Sequence, residues 1–291
     1  MKSTLSHRIQ YFIVLILISI LRIVPRRIRG WIGASLGQAV YLIGIRRSVV
    51  CENLRAAFPG IPEAGVRKTA AGVYRHFGTL ATSLVELPRL DESALNSWIF
   101  TENGDVLDEA LAEGRGCIMV SGHMGNWEIG GCLAAARGIP TTFVVTTQRN
   151  KLIEAKFDRY REASGAEIVK RRVATRGVLS ALKRKRLVAI LIDQDAHEDG
   201  AFVPFFGRLA STPRGPAVLH LRTGAPLVFG YSLRLPGERY RLHYERIDTT
   251  GITDADELTA LLTQKLETAI RIRPEQWFWM HRRWKTRPPK S

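Results

Sequence analysis

From about residue 98 onward the chain alternates short apolar runs with helix-length segments, a pattern that few folds accept. The runs "CIMVS" (117–121), "TTFVVTT" (141–147), "AEIVK" (166–170), "LVAILID" (187–193), "PLVFGYSL" (226–233) and "YRLHYERI" (240–247) read as strands. Helical stretches lie between most of them, at 126–137, 151–164, 175–185 and 213–223, and "DADELTALLTQKLETAIRI" forms a last helix. Strand, helix, strand at this spacing predicts the α/β class, a mostly parallel mixed sheet flanked by helices on both faces. With 291 residues and 45% hydrophobic content the chain can fill one large core. It carries no internal repeat, low-complexity tract or interdomain linker.

In parallel sheets ligands gather beyond the carboxyl ends of the strands, and two polar turns fall there. The first, "SGHMGNWEIGG" (121–131), holds His123, Asn126 and Glu128 between a strand and a helix. On one regular helix, residues five apart point about 140° apart. His123 and Glu128 therefore meet only if the histidine sits on the loop and Glu128 in the helix's first turn, with Asn126 as N-cap. A carboxylate beside imidazole fixes its tautomer and raises its basicity, which suits a general base acting on a hydroxyl. No serine or cysteine nucleophile stands beside it, so an activated substrate hydroxyl is the expected attacking group. The second turn, "IDQDAHEDG", places Asp193 and Asp195 at the end of another strand, where either ligand contact or turn and capping duty suits them.

Other frequent chemistry is missing. The chain has no G-x-x-x-x-G-K-[ST] phosphate loop, no G-x-G-x-x-G after a strand and no H-E-x-x-H. "GASLG" (33–37) matches the G-x-S-x-G of hydrolase elbows, but that motif needs a strand before it and a helix after it. Here it sits inside a Gly/Ala-rich apolar helix, "GWIGASLGQAVYLIG", where small residues permit close helix packing. "RRSVVCENLRAAFPG" and the amphipathic "PEAGVRKTAAGVYRHFGTLATSLVEL", stopped by Pro88, continue the helical first third. Cys51, Cys117 and Cys132 are odd in number and show neither metal-ligand nor redox spacing, which predicts free thiols in a reducing compartment.

The formal net charge of +16 points to anionic partners: nucleic acid, acidic lipid headgroups or an acidic protein. The N-terminus narrows these. Ile9 to Val24 is apolar except for Gln10, Ser19 and Arg22, and eight Lys or Arg precede the first acidic residue, Glu52. Basic charge beside an apolar helix suits the anionic face of a membrane, at about 1 kcal/mol per basic residue. A secretory cleavage site is absent, because "RIVPRRIRG" follows. The expectation is a membrane anchor over residues 1–29, spanning or half-buried, with the body on the cytoplasmic side. The aromatics at 277–284 cluster with Arg and Lys but match no nucleic-acid-binding pattern.

The H-M-G-N-W-E turn fits the H-x4-[D/E] signature of glycerolipid and glycolipid acyltransferases. More specifically, the chain resembles the bacterial lipid A late acyltransferases, from its N-terminal anchor to its C-terminal tail. Further matches are "QRNKLIEAKFDRYREASGAEIV" with its R-x-R, "IDQDAHEDGAFVPFFGRLASTPRGPAVL" and "RPEQWFWMHRRWKTRPP". The resemblance implies a glycerol-3-phosphate acyltransferase-like fold over residues 30–291, at the bacterial inner membrane. It implies transfer of a fatty acyl group from an acyl carrier protein thioester to a glycolipid hydroxyl, without metal or cofactor. His123 would be the base and Glu128 its partner, with Asn126, Arg159, Arg161, Asp193 and Asp195 on the substrate. If the R-x-R segment is helical, Arg159 and Arg161 point about 200° apart, so one of them faces the substrate. The alternatives are an acyl-CoA-dependent acyltransferase of another glycolipid or phospholipid, and a non-catalytic basic protein of the membrane surface. The stretch 170–186, with eight Lys or Arg and no acid, is a candidate surface for the acidic carrier protein or for lipid headgroups.

Overall fold

Among the residues that the computed structural model describes, 4–89, 97–171 and 174–289, four α-helices come first, ahead of a 3-10 turn at Leu84–Arg89. They are α1 (Leu5–Ile23), α2 (Arg26–Ile43), α3 (Arg47–Ala57) and α4 (Glu63–Ser83). Pro25 keeps the residue before it out of helical geometry, so Val24 is extended and α2 starts at Arg26. Helix α2 packs on α4 through bare backbone. A Cβ added at Gly37 would lie 1.9 Å from the Tyr74 carbonyl oxygen, and one at Gly78 would lie 2.0 Å from that of Gly33. "GASLG" is thus a helix-packing element, with Gly33 and Gly37 buried and Ser35 exposed.

The strands are β1 (Ile99–Glu102), β2 (Cys117–Ser121), β3 (Thr141–Val145), β4 (Glu167–Lys170), β5 (Leu187–Leu191), β6 (Ala201–Phe205), β7 (Arg208–Thr212), β8 (Leu227–Leu235) and β9 (Arg239–Arg246). Interleaved helices are α5 (Asp105–Ala112), α6 (Trp127–Ala136), α7 (Lys151–Ala163), α8 (Ala174–Lys183) and α9 (Gly215–Thr223), and α10 (Ala255–Ile272) follows β9. Seven strands form a mixed sheet in the order β1-β9-β8-β2-β5-β3-β4, with every neighbouring pair parallel except the β8–β9 hairpin. All six strands expected from the sequence are present. The sequence reading lacked β1, α5 and the separate antiparallel hairpin β6–β7. Strand β1 is a four-residue edge. Pro204 disguises β6, and the consecutive positive φ values at Phe206 (51°) and Gly207 (71°) make the tight turn that joins it to β7.

Strand parity divides the core. Ile118 and Val120 of β2 point to a layer with α3, α4, α8, α9 and α10, while Cys117 and Met119 point to one with α5 and α6. The three cysteines are buried and unpaired. Central strands β2 and β5 end side by side, Ser121 opposite Leu191, so the loops after them, carrying His123 and Asp193, emerge together.

Candidate active site

The turn between β2 and α6 is held in one shape from several sides. Gly125 has φ +56°, and a Cβ there would fall 1.9 Å from the Ser232 carbonyl oxygen, so only glycine fits. The C-terminal tail clamps the same turn by backbone bonds: Gly125 donates to the Gln276 carbonyl at 2.9 Å, and Phe278 donates to that of His123 at 3.1 Å. From α4, the fully buried His76 donates through Nε2 to the Gly125 carbonyl at 3.0 Å. Its neutral state follows from its burial, which pushes its pKa down to about 3, helped by the nearby Arg234 charge.

Asn126 is wholly inside the protein. Its Oδ1 accepts from the Ile129 amide at 3.1 Å as the N-cap of α6, and its Nδ2 donates to Ser83 Oγ at 3.0 Å. Those bonds, with the Ser232 hydroxyl accepting from its backbone amide at 2.6 Å, tie α4, α6 and β8 together. The geometry makes it scaffold, out of reach of a substrate.

His123 faces Asp193. The imidazole Nδ1 donates to Asp193 Oδ1 at 2.7 Å, and the His123 backbone amide donates to Oδ2 at 2.7 Å. Trp277 Nε1 donates to that same Oδ2 at 2.8 Å. Asp193 is thus buried with three donors on its two oxygens. Burial opposes its charge, but the His123 charge and the hydrogen bonds from His123 and Trp277 hold it ionised below the usual carboxylate range. Burial likewise pulls the His123 pKa down. The Asp193 charge and bond, with a contribution from Glu128, outweigh that and raise it above the ordinary histidine value. Nδ1 therefore carries the proton, and Nε2, on the opposite edge of the ring, is left as the acceptor.

Glu128 lies in the first turn of α6, as the spacing required, but its bonds go elsewhere. Arg161, from α7, donates to it twice, Nε to Oε2 at 2.8 Å and Nη2 to Oε1 at 2.5 Å, and gives Nη1 to Asp158 at 3.2 Å. Arg159 projects to the exposed side of the same helix. Asp195 is directed away from the histidine. Its backbone amide donates to His281 Nε2 at 3.0 Å, and its carboxylate accepts from the His197 amide and Thr286 Oγ1. It fastens the tail.

His123, Glu128 and Arg161 line a cavity of about 870 Å³ that opens over the carboxyl edge of the sheet. Its walls are mainly apolar, with Met119, Phe143, Leu242 and Tyr244 on the α6 side of the sheet and Val178, Ile190 and Leu219 on the other. Arg171 and Arg222 stand at its exposed margin. The backbone amides of Trp127 and Glu128, in the first turn of α6 beside His123, have no intrahelical partner to use. His123 and the first turn of α6 border this mainly apolar cavity, and Asp193 is buried against the imidazole, an arrangement that can deprotonate a hydroxyl next to an alkyl chain.

Sequence reasoning did not name Trp277, His76 or Ser232 as parts of this site. The tail motif carrying Trp277 was visible, but nothing in its spacing shows that an indole reaches an aspartate 84 positions earlier.

Relatives of known activity fit this chemistry. The chain is 28% identical over 273 residues to a lipid A biosynthesis palmitoleoyltransferase of Escherichia coli, spanning 91% of this chain and 87% of that protein. It is 28% identical over 267 residues to the lauroyltransferase of the same organism, covering 88% and 85%. A phosphatidylinositol mannoside acyltransferase of Mycolicibacterium smegmatis is 26% identical over 229 residues, 77% of this chain and 73% of its own. The family model described as "Bacterial lipid A biosynthesis acyltransferase" matches residues 1–286, and with the site just described this places the chain in that family, as an acyltransferase.

Proposed function

We propose that this protein moves a fatty acyl group from an acyl carrier protein thioester to a hydroxyl of a lipid A precursor at the bacterial inner membrane. The observation that carries the reading is the His123–Asp193 pair, with the imidazole lining a mainly apolar cavity. His123 Nε2 takes the proton of the acceptor hydroxyl while Asp193 stabilises the imidazolium that forms. The alkoxide attacks the thioester carbonyl, and the new oxyanion accepts from the free amides at the start of α6, where the helix dipole favours negative charge. The tetrahedral intermediate expels the thiolate, which takes the proton back from His123. The C–O bond forms, the C–S bond breaks, and the proton passes from hydroxyl to sulfur.

Glu128 and Arg161 take a second part in this scheme. Their bidentate pair joins α6 to α7 and fixes one wall of the cavity, and the Glu128 charge adds to the field that favours imidazolium. Arg161, already holding two carboxylates, has little left for a substrate phosphate. Arg171 and Arg222 at the cavity margin suit an anionic headgroup or the phosphopantetheine of the carrier better. Helix α8, which follows Arg171, exposes Arg176 and Lys183, with Lys185 just beyond it, so an acidic carrier docked there would have its thioester arm at the cavity. Arg172, in the same basic stretch, lies outside the described residues.

The phosphatidylinositol mannoside acyltransferase supports a second reading, in which the acceptor is another glycolipid, because its 26% identity to this chain is close to the 28% of the lipid A enzymes. Mass spectrometry of total glycolipids from cells with and without the protein separates the two. A gain of one acyl mass on a lipid A precursor is the expected result. The same gain on a different glycolipid would transfer the acceptor assignment, and no gain on any would refute the reading.

A further inference from the structure

Helix α1 is the one described helix long and apolar enough to cross a membrane, but the way it is fastened argues against crossing. At its start, Asn150 Nδ2 donates to the His7 carbonyl at 3.0 Å and to Gln10 Oε1 at 3.1 Å. At its end, Arg22 Nη2 donates to the Tyr160 hydroxyl at 3.2 Å. Asn150 caps α7 and Tyr160 lies in its last turns, so α1 is fastened near both ends to points about 15 Å apart along α7. Helix α7 carries Lys151, Glu154, Lys156, Asp158, Arg159 and Arg161. A helix standing along the bilayer normal over that length would draw α7 and its charges into hydrocarbon, at a cost of several kcal/mol.

What α1 leaves outward is a stripe. Leu5, Ile9, Phe12, Ile13, Ile16, Ile20 and Ile23 are all exposed, at helical spacing, while Ile18 is buried on the other side. Helix α2 continues the theme. Its Gly33 and Gly37 face α4, and the opposite arc exposes Ile28, Trp31 (71% exposed), Leu36, Leu42 and Ile43 (74% exposed). Taking 100° per residue from Ile28, that arc is centred some 150° from Gly33 and Gly37. Basic residues sit at its ends, with Arg27 at the start of α2 and Arg46 and Arg47 after it. Arg46 shares a surface depression with Arg282 and Lys285 of the tail.

We propose that α1 and the outer face of α2 form one in-plane platform that lies in a single leaflet of an anionic phospholipid bilayer, without crossing it. Two consecutive amphipathic helices present apolar side chains to the acyl region, and the flanking arginines meet the headgroup phosphates. Charge selects a phospholipid leaflet over a protein partner: apolar faces bounded by Arg and free of Asp or Glu over residues 4–51 complement an anionic bilayer. The proposal rests on the membrane acceptor in the function just described, and sharpens where the body stands relative to that acceptor.

The test uses the full chain and needs no turnover, so it fails or succeeds separately from the acyltransferase reading. The native cysteines are buried, so Leu5→Cys can be labelled with an environment-sensitive fluorophore and the protein bound to preformed vesicles of phosphatidylcholine with phosphatidylglycerol. An impermeant quencher added outside should extinguish the probe completely, as at Ile23→Cys. Protection at position 5 until the vesicles are lysed would show a spanning helix and overturn the proposal, as would a lack of vesicle binding. Trp31→Glu with Ile43→Glu, both on the exposed arc, should weaken vesicle binding at least tenfold. Acyl transfer to detergent-dispersed acceptor should be kept, which certifies the fold. Unchanged binding in that variant would remove α2 from the platform.

Discussion

Replacing Asp193 by Asn tests the site at its centre, because the carboxylate answers three donors and the amide cannot. Asp193 Oδ1 accepts from His123 Nδ1, and Oδ2 accepts from the His123 amide and Trp277 Nε1. An Asn side chain has one oxygen and one NH2. Turned with NH2 at the Oδ2 position, it meets two N–H donors that cannot reorient. Turned the other way, it keeps those two bonds and presents NH2 to Nδ1, which can respond by changing tautomer. The second arrangement costs less, and it moves the imidazole proton to Nε2, the nitrogen that must be free to act as base. Removing the Asp193 charge also removes the main influence that raises the His123 pKa, leaving burial to lower it. The expected loss is about 10³- to 10⁴-fold in kcat, combining the range for a lost general base with that for a wrong tautomer. The assay is transfer of a labelled acyl group from carrier protein to glycolipid across pH 5–9. The wild-type rate should rise with pH as His123 deprotonates, with a midpoint above 6.5, and that midpoint should fall in the variant. A folded Asp193→Asn protein keeping a third or more of wild-type kcat would refute His123 as the base held by this pair.

His123→Ala should lose at least about a hundredfold in activity with little loss of fold, whereas Ser35→Ala, on the exposed side of α2, should leave turnover unchanged in the same assay. For the Glu128–Arg161 pair, Glu128→Gln, Arg161→Met and the double variant form a cycle. The single variants should each cost more than the further step to the double, with coupling of about 1 to 3 kcal/mol in transition-state stabilisation, because either one strands a half-buried charge. Lys183→Glu with Lys185→Glu should raise the KM for acyl carrier protein severalfold at low salt, with little change for short thioesters. Arg184 is best left alone, since it is bonded to Glu167. Heat stability should fall on acidification below pH 6.5, because His76 stays neutral in the fold down to about pH 3 and the unfolded chain takes up its proton first. The slope from this group approaches about 1.4 kcal/mol per pH unit, and His76→Gln should flatten it in calorimetry from pH 7 to 4.

The parts of the fold legible in the sequence are those set by local periodicity. The central strands and the helices between them announce themselves by apolar runs of the right length, and the edge strand β1 and the Pro204-containing hairpin do not. Within the site, the loop placement of His123 and the first-turn placement of Glu128 follow from a five-residue spacing alone. Which carboxylate meets the imidazole does not, because that depends on β2 and β5 being sheet neighbours in register, a long-range fact. Asp193 and Asp195 look alike on paper. Both lie in the loop after β5 ends at Leu191, and one meets His123 while the other, two residues on, turns to His281 and Thr286. Residues such as His76 and Trp277 contribute through the backbone or through an aspartate, and a one-dimensional pattern carries no trace of such contacts.

Helix α4 links the N-terminal helices to the candidate site more directly than sequence order suggests. One of its faces holds Gly78 against Gly33, where backbone touches backbone and any side chain would force the helices apart. The hydroxyls of Thr79 and Thr82 accept no slack either, donating to the Gly30 and Arg29 carbonyls at 3.1 Å each. From the same helix, His76 holds the Gly125 carbonyl, Phe77 packs edge-on to Phe278 and near Trp127, and Ser83 accepts from Asn126. Close glycine packing resists sliding because there is no flexible side chain to absorb it. A displacement of α2 must therefore be taken up by α4 as a body, and so by the turn that carries His123. The rigidity that holds the His123 turn and the lipid contact proposed above reside in the same pair of helices.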